Sequence, residues 1–314
     1  MTYFDFIKRF PTEQDALDFI VATKYKDGFV CPKCGCIHKI YRSNIKTRNL
    51  YCNNCHSQFS ALTGTIFENT HLDLRMWLYA INLVIISRKG ISALQLQREL
   101  GMKSYKGAWR MLHKIREAMG KEDMKETFEA VVEIDETYVG GHPRKQNKHD
   151  NNNDNGNNDT ITNNGHKRGR GTSKTPVIGV KERNTGKVHA VVANKNKDGK
   201  QLSGKQLFDV LKKVCKDNTT VMTDQFSGYN ILDYPNSKNF VRISVDHNAV
   251  YSLGNGIHTN GIESFWAILK RGIYGIFHHV SLPYMQSYVN EFCFRLNHRD
   301  TNEAFHSLVR FAVA

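Results

Sequence analysis

Apolar residues spaced three and four apart mark the first part of the chain as helical, and short, near-continuous apolar runs mark the second part as strand-rich. Residues 1–27 read as a helical lead-in, where Thr12 can cap a helix with Asp15 three positions on, followed by the stripe Ala16, Leu17 and Ile20. Residues 28–62 offer only short β-prone pieces, at 39–42, 49–51 and 58–60. Across 70–120 three helices are predicted: 72–87, then 92–100 closed by Gly101 as a C′ glycine, then 104–119 with Ser104 as its cap. In the third, Tyr105, Ala108, Trp109, Leu112, Ile115 and Met119 share one face, which should be core.

From Phe128 the texture changes. Strands are predicted at 130–140, 175–182 and 187–193, the last two joined as a hairpin through Asn184-Thr185-Gly186. An amphipathic helix at 204–215 leads to short strands at 219–223 and 239–245. After a polar, Gly-rich loop come helices at 260–272, 282–297 and 302–311. The order is strand, hairpin, helix, strand, strand, helix, helix, an α/β (α+β) arrangement over 127–300, with 301–314 a C-terminal helix. An insert at 142–174 interrupts it: residues 147–164 hold nine Asn in eighteen positions, with a basic run behind them. So little apolar surface predicts a disordered excursion, whose Asp150, Asp154 and Asp159 are poor catalytic candidates.

Charge narrows the partners. The 314-residue chain, long enough for two or three domains, carries a formal net charge of +14, which points to a polyanion. Residues 28–116 concentrate it, with 14 Lys/Arg against Glu68, Asp73 and Glu99, a local +11. The first ten residues are mixed and charged, unlike a secretory signal, and the longest apolar run, 76–87, is too short to span a bilayer. The expectation is a cytoplasmic, nucleoid-associated protein without a membrane partner.

Four of the seven cysteines form two C-x-x-C pairs, Cys31/Cys34 and Cys52/Cys55. Each two-residue gap lets a turn aim both sulfurs at one ion, and Gly35 can supply the positive φ such turns often need. Four thiolates make a tetrahedral, closed Zn²⁺ site, hence a structural metal. Cys36, His38 and His56 lie nearby, and a Cys3His variant is the alternative ligand set. Cys215 and Cys293 read as core thiols in helices.

The helices at 92–100 and 104–119 have the layout of a helix-turn-helix. With Trp109 facing the core, Lys103, Lys106, Arg110 and Lys114 fall on an adjacent flank, where a recognition helix meets phosphates and base edges of double-stranded DNA. The alternative is an ordinary helical hairpin with a solvated basic face.

Three acids stand out by placement. Asp135 interrupts an apolar strand, Asp224 ends another, and Glu263 lies on the helix that begins near Asn260. On that helix Ile262, Phe265, Trp266, Leu269 and Ile273 form the buried stripe, leaving Glu263 and Lys270, two turns apart, on a different face. Carboxylates from two strands and a helix can hold two Mg²⁺ or Mn²⁺ ions about 3.5–4 Å apart for phosphodiester chemistry. Any single acid of this kind is more often a surface or capping residue.

The runs Val132-Glu-Ile-Asp-Glu-Thr-Tyr-Val-Gly-Gly141, Thr223-Asp224…Gly228-Tyr229, Thr259-Asn-Gly-Ile-Glu-Ser-Phe-Trp-Ala-Ile-Leu-Lys-Arg271 and Glu291-Phe-Cys-Phe-Arg-Leu-Asn297 resemble the zinc-ribbon branch of bacterial insertion-sequence DDE transposases, the ISXO-two-like group. The resemblance implies a ribonuclease-H-like core, two-metal cleavage and strand transfer, and action as a homodimer or higher oligomer on element ends. It makes Asp135 and Asp224 metal ligands. For the third it offers Glu263, preferred because Lys270 follows at the spacing of a phosphate-contacting lysine, or Asn260. His247 and His258 flank the same region. Two rival functions remain: a zinc-dependent DNA-binding regulator with an inert nuclease-like domain, and a metal-dependent nuclease that cuts without joining.

Overall fold

The computed structural model describes residues 1–38, 43–125, 127–140, 174–193, 202–234, 240–245 and 258–314. The β piece expected at 39–42, the Asn-rich insert up to residue 173 and His247 lie outside the described residues. Two compact units emerge: Met1–Asp123 with Tyr274–Phe277 and Ser287–Ala314, and Met124–Ile273 with His278–Gln286.

In the first unit Pro11 and Thr12 split the lead-in into α1 (Tyr3–Arg9) and α2 (Glu13–Lys24). Each opens on a reciprocal capping box, Thr2 with Asp5 and Thr12 with Asp15, the Asp15 carboxylate accepting the Thr12 N–H at 2.8 Å. β1 (Phe29–Val30) pairs with β2 (Ile37–His38), while β3 (Ser43–Asn44), β4 (Asn49–Tyr51) and β5 (Gln58–Ser60) form an antiparallel sheet. These strands are too short to stand alone. Leu50 and Phe29 instead join a core built by α2, α3 (Leu74–Ile86), α4 (Ala93–Glu99), α5 (Tyr105–Met119) and α9 (Thr301–Val313), in which Leu17, Ile81, Ile115 and Leu308 have no exposure.

The turn between α4 and α5 closes as expected. Gly101 has φ +62°, its N–H bonds Arg98 O at 3.2 Å, and Met102 N–H bonds Gln97 O at 2.9 Å, which is a Schellman motif. Two expectations fail here. Ser104 occupies the N-cap of α5 but makes no side-chain cap bond, and Tyr105 is 52% exposed, because the first turn of α5 overhangs the core edge.

Helix α8 (Leu282–Asn297) brings Glu291 into this unit's interior. Glu291 is 1% exposed and bonds Arg116 Nε at 2.6 Å and Arg295 Nη2 at 2.6 Å, while Arg295 Nη1 donates to Ser87 O at 2.6 Å. The Arg116 guanidinium also lies over the Tyr288 ring at 4.0 Å. Burial alone would raise the Glu291 carboxyl; the two arginines hold it below its usual range. Burial and Arg116 push neighbouring His113 down to about 4, so it stays neutral. Cys293, on the same helix, is only half-buried rather than a core thiol, since Phe292 and Phe294 take the inward positions.

The second unit is a five-stranded mixed sheet of β6 (Val131–Val139), β7 (Thr175–Glu182), β8 (Val188–Val192), β9 (Thr220–Thr223) and β10 (Val241–Ser244), in the order β10-β9-β6-β7-β8. β6, β7 and β8 form an antiparallel meander, and β9 and β10 run parallel to β6. That order is the ribonuclease-H-like one. One face packs Val132, Ile134, Ile178 and Val180 against Leu207, Leu211 and Val214 of α6 (Gly204–Val214). The other is met by α7 (Asn260–Gly272), whose Ile262, Phe265, Trp266 and Leu269 are buried as predicted. A 3-10 segment at Ser227–Asp233 and a π turn at Ile273–Phe277 were not legible in the periodicity. Cys215 is buried, but as the extended residue after α6, bridged to Phe128.

Replacing Glu291 with Ala leaves two arginines buried without a counter-charge, and should cost about 3–5 kcal/mol, read as a fall in denaturation midpoint. The double replacement Arg116→Met/Glu291→Leu should recover the part of that loss due to Arg116, with Arg295 still lacking its carboxylate.

Candidate active site and metal centre

The zinc knuckles lie between β1 and β2 and between β4 and β5. Each is a tight turn closed by a backbone bond, Gly35 N–H to Cys31 O at 2.9 Å and His56 N–H to Cys52 O at 3.0 Å. Gly35 has φ +72° as expected, and His56 takes the equivalent left-handed position at φ +55°. The turns bring the Sγ atoms of Cys31, Cys34, Cys52 and Cys55 within 4.8 Å of one another, with Cys31–Cys55 and Cys34–Cys52 each at 3.6 Å. A tetrahedral zinc with bonds of about 2.3 Å has sulfur–sulfur edges of about 3.8 Å, so the set fits the ion. His38 Nε2 lies 3.1 Å from Cys52 Sγ, beside the thiols rather than among them.

The acids meet on the sheet of the second unit. Glu133 of β6 is level with Met222 of β9; carried two residues on, past the end of β9, that register brings Asp224 alongside Asp135. β9 ends at Thr223 while β6 runs on, and at that open edge Glu136 reaches the same space: ligand atoms of Asp135, Glu136 and Asp224 all lie within 4.8 Å of one another.

Each acid has its own support. Trp266 Nε1 donates to Asp135 Oδ2 at 3.0 Å, and Phe226 N donates to Asp224 Oδ1 at 3.0 Å in an Asx turn. The fully buried Tyr229 donates its hydroxyl to Glu136 Oε2 at 3.0 Å. Burial, then the charges of Glu136 and Asp224, push the Asp135 carboxyl up to about 7. Burial and the same acids hold the Tyr229 phenol well above its usual range, so it remains a donor. Three carboxylates crowded around one space suit a hard divalent cation such as Mg²⁺ or Mn²⁺.

Helix α7 carries the remaining predicted residues. Glu263 and Asn260 are exposed in its first turn and lie outside the three-acid cluster; Glu263 Oε1 accepts the Thr259 hydroxyl at 3.1 Å. Lys270 is half-buried, its ammonium disfavoured by burial and partly restored by the charge of Asp135. Gly179 faces Asp135 across the β6–β7 pair, and a Cβ there would sit 2.5 Å from the Trp266 ring; the missing side chain lets the indole lie over the sheet.

Sequence reasoning passed over Glu133, Glu136 and Tyr229. A signal existed: three acids at 133, 135 and 136 inside one apolar strand are costly unless each has a partner.

On α5, Lys103 just before the helix, Lys106 and Arg110 are exposed, while half-buried Lys114 donates to Ile66 O at 2.9 Å. Among the described residues no helix is long and apolar enough to cross a membrane.

A ribonuclease-H-like sheet with clustered acids, together with a four-cysteine ribbon, defines a class: zinc-ribbon proteins with a carboxylate-bearing catalytic-type core. Family comparison makes this specific. The model of the ISXO2-like transposase domain matches residues 127–297, more than half the chain, and that of the transposase zinc-ribbon domain matches residues 11–58. The chain belongs to the ISXO2-like transposase family. An uncharacterized protein in transposable element ISH50 of Halobacterium salinarum is 28% identical over 269 residues, covering 84% of each chain. Among solved structures, a chain of the simian T-cell lymphotropic virus intasome in complex with PP2A regulatory subunit B56 gamma shares 11% identity at TM-score 0.31 over 68% of this chain and 66% of that one. A chain of the pre-cleavage Mos1 transpososome shares 10% at TM-score 0.25 over 74% and 78%.

Two outcomes follow from this geometry. Elemental analysis should find one zinc per chain, lost in Cys52→Ser together with the fold of the ribbon. In chelator, Asp135→Asn keeps an acceptor for Trp266 but relieves the crowding, and should stabilise the metal-free protein by about 1–2 kcal/mol, raising Tm by a few degrees.

Proposed function

We propose that this protein binds the terminal inverted repeats of an insertion sequence, cuts the phosphodiester at the element end and joins the freed 3′-hydroxyl to target DNA. The observation that carries the reading is the meeting of the Asp135 and Asp224 carboxylates just past the end of β9, with Glu136 beside them. Asp135 and Asp224 hold two Mg²⁺ or Mn²⁺ ions, with Glu263 of α7 as the third ligand and Asn260 as its alternative. Divalent cations bound there supply an activated water or 3′-hydroxyl and a stabilised leaving oxygen. Lys270, on the same helix face as Glu263, neutralises a terminal phosphate.

Trp266 and Phe226 N keep the two aspartates from rotating away when the scissile phosphate enters, since each holds one carboxylate oxygen. The four-cysteine ribbon and the α4–α5 pair grip the element ends, with Lys103, Lys106, Arg110 and Lys114 along the DNA-facing flank. Lys114 has the shortest reach of the four, because Ile66 O already occupies its ammonium. The protein acts as a homodimer or larger oligomer, which brings two ends together.

A strand-transfer assay with labelled element-end DNA, target plasmid and Mg²⁺ tests this. Wild type should give joined product; Asp135→Ala and Asp224→Ala should bind ends and join nothing. Hydrolysed ends without joining would mean a nuclease, and bound but uncut DNA in wild type a regulator. Replacing Lys103, Lys106 and Arg110 together with Gln should weaken end binding and flatten the log affinity–log salt slope by about 2–3 units.

A further inference from the structure

Helix α7 touches strand β6 at two points on one face. Glu133, 1% exposed, accepts the Ile262 backbone N–H at 2.8 Å through Oε2, and Asp135 accepts the Trp266 indole N–H at 3.0 Å. The contacts are two residues apart on the strand and four apart on the helix, and both elements run the same way. Two strand residues advance about 6.7 Å and four helix residues about 6.0 Å, so one placement of the helix satisfies both pairs and a slide by one residue disturbs both.

Glu133 takes the place of a helix cap. Thr259, at the N-cap position, makes no side-chain cap bond, so the N–H of Ile262 in the first turn is met from the sheet instead. The second oxygen of Glu133 is held by Arg183 Nε at 2.8 Å, and Arg183 also reaches the His258 carbonyl just ahead of the helix. Lys181, opposite Glu133 in the sheet, donates to Gly261 O at 3.1 Å. Space is equally constrained: a Cβ on Gly261 would lie 2.7 Å from Glu133 Oε2.

We propose that Glu133 is a positioning residue that sets the register of α7 along β6, and thereby the seating of Trp266 on Asp135 and the presentation of Glu263 and Lys270. The consequence for joining rests on the reading of the site given above; the register itself does not. A carboxylate that merely stabilised the helix would make a different prediction at Gly261. Its φ is not positive and the added methyl meets the far end of the Glu133 side chain, so a carboxylate that only capped the helix would swing aside in Gly261→Ala and leave Trp266 in place. If Glu133 sets the register, the added methyl displaces its carboxylate and the helix with it.

Full-length protein labelled with ¹⁵N-tryptophan gives three indole signals, from Trp77, Trp109 and Trp266, with Trp266 assigned through Trp266→Phe. Glu133→Ala and Gly261→Ala should both shift the Trp266 signal and speed its exchange with water at least tenfold, leaving Trp77 and Trp109 in place. Glu133→Gln, which keeps an acceptor for Ile262 N–H but turns its amide nitrogen toward Arg183, should shift the Trp266 signal less than Glu133→Ala does. Strand joining should fall at least tenfold in the two Ala variants, with end binding within twofold. An unmoved Trp266 signal in folded Gly261→Ala overturns the proposal, and that variant carries the test if Glu133→Ala fails to fold. Wild-type protein that joins no DNA would overturn the functional reading instead, while the indole signals still decide the register.

Discussion

Three carboxylates whose ligand atoms lie within 4.8 Å repel one another, and the second unit is arranged around holding them there. Each acid is restrained by a neutral donor: an indole on Asp135, a backbone N–H on Asp224 and a phenol on Glu136. Neutral donors orient a carboxylate without cancelling its charge. The glycine opposite Asp135 belongs to the same arrangement, since any side chain at Gly179 would lift Trp266 off the sheet. So does Arg242, 10% exposed in its side chain, which bonds Asp233 at 2.8 Å and Thr223 Oγ1 at 3.1 Å and meets the Asp224 backbone carbonyl at 3.5 Å.

The first unit solves a different problem. Its ribbon strands are two or three residues long and would not persist as a sheet. Two devices stand in for length: the four thiols set for one ion, and insertion of Phe29 and Leu50 into the helical core. The thiols match a soft, closed tetrahedral site and the acids offer hard oxygen donors, so the two clusters differ in the kind of cation they suit.

Much of this was legible in the sequence because it is local. The two C-x-x-C turns, the Schellman glycine after α4, the buried stripe of α7 and the strand–hairpin–helix order follow from spacing and side-chain type within a few residues. What escaped depends on tertiary neighbours. Glu133 reads as one more acid near Asp135 until the sheet brings it beneath the N–H of Ile262, 129 positions away. Glu136, on the opposite side of the strand by simple alternation, joins the cluster where β6 runs on past the end of β9 at Thr223. Tyr105 fits the apolar period of α5 but falls beyond the edge of the core, and periodicity does not know where a core ends.

Glu291 and Asp135 show how the same penalty is used in opposite ways. Burial raises both carboxyls. Around Glu291 two guanidiniums reverse the effect, and the charge is spent on joining α5 and α8 inside the first unit. Around Asp135 two acids and an indole stand beside the charge of half-buried Lys270, and the carboxyl stays near 7. A chain with a net charge of +14 has basic side chains to spare, so the absence of a bonded guanidinium from the described partners of Asp135 reflects placement rather than supply. An arginine there would make the fold more secure and occupy the place a cation needs. Crowding the acids costs stability, and the restraints on their orientation are what keep that cost from dispersing the cluster.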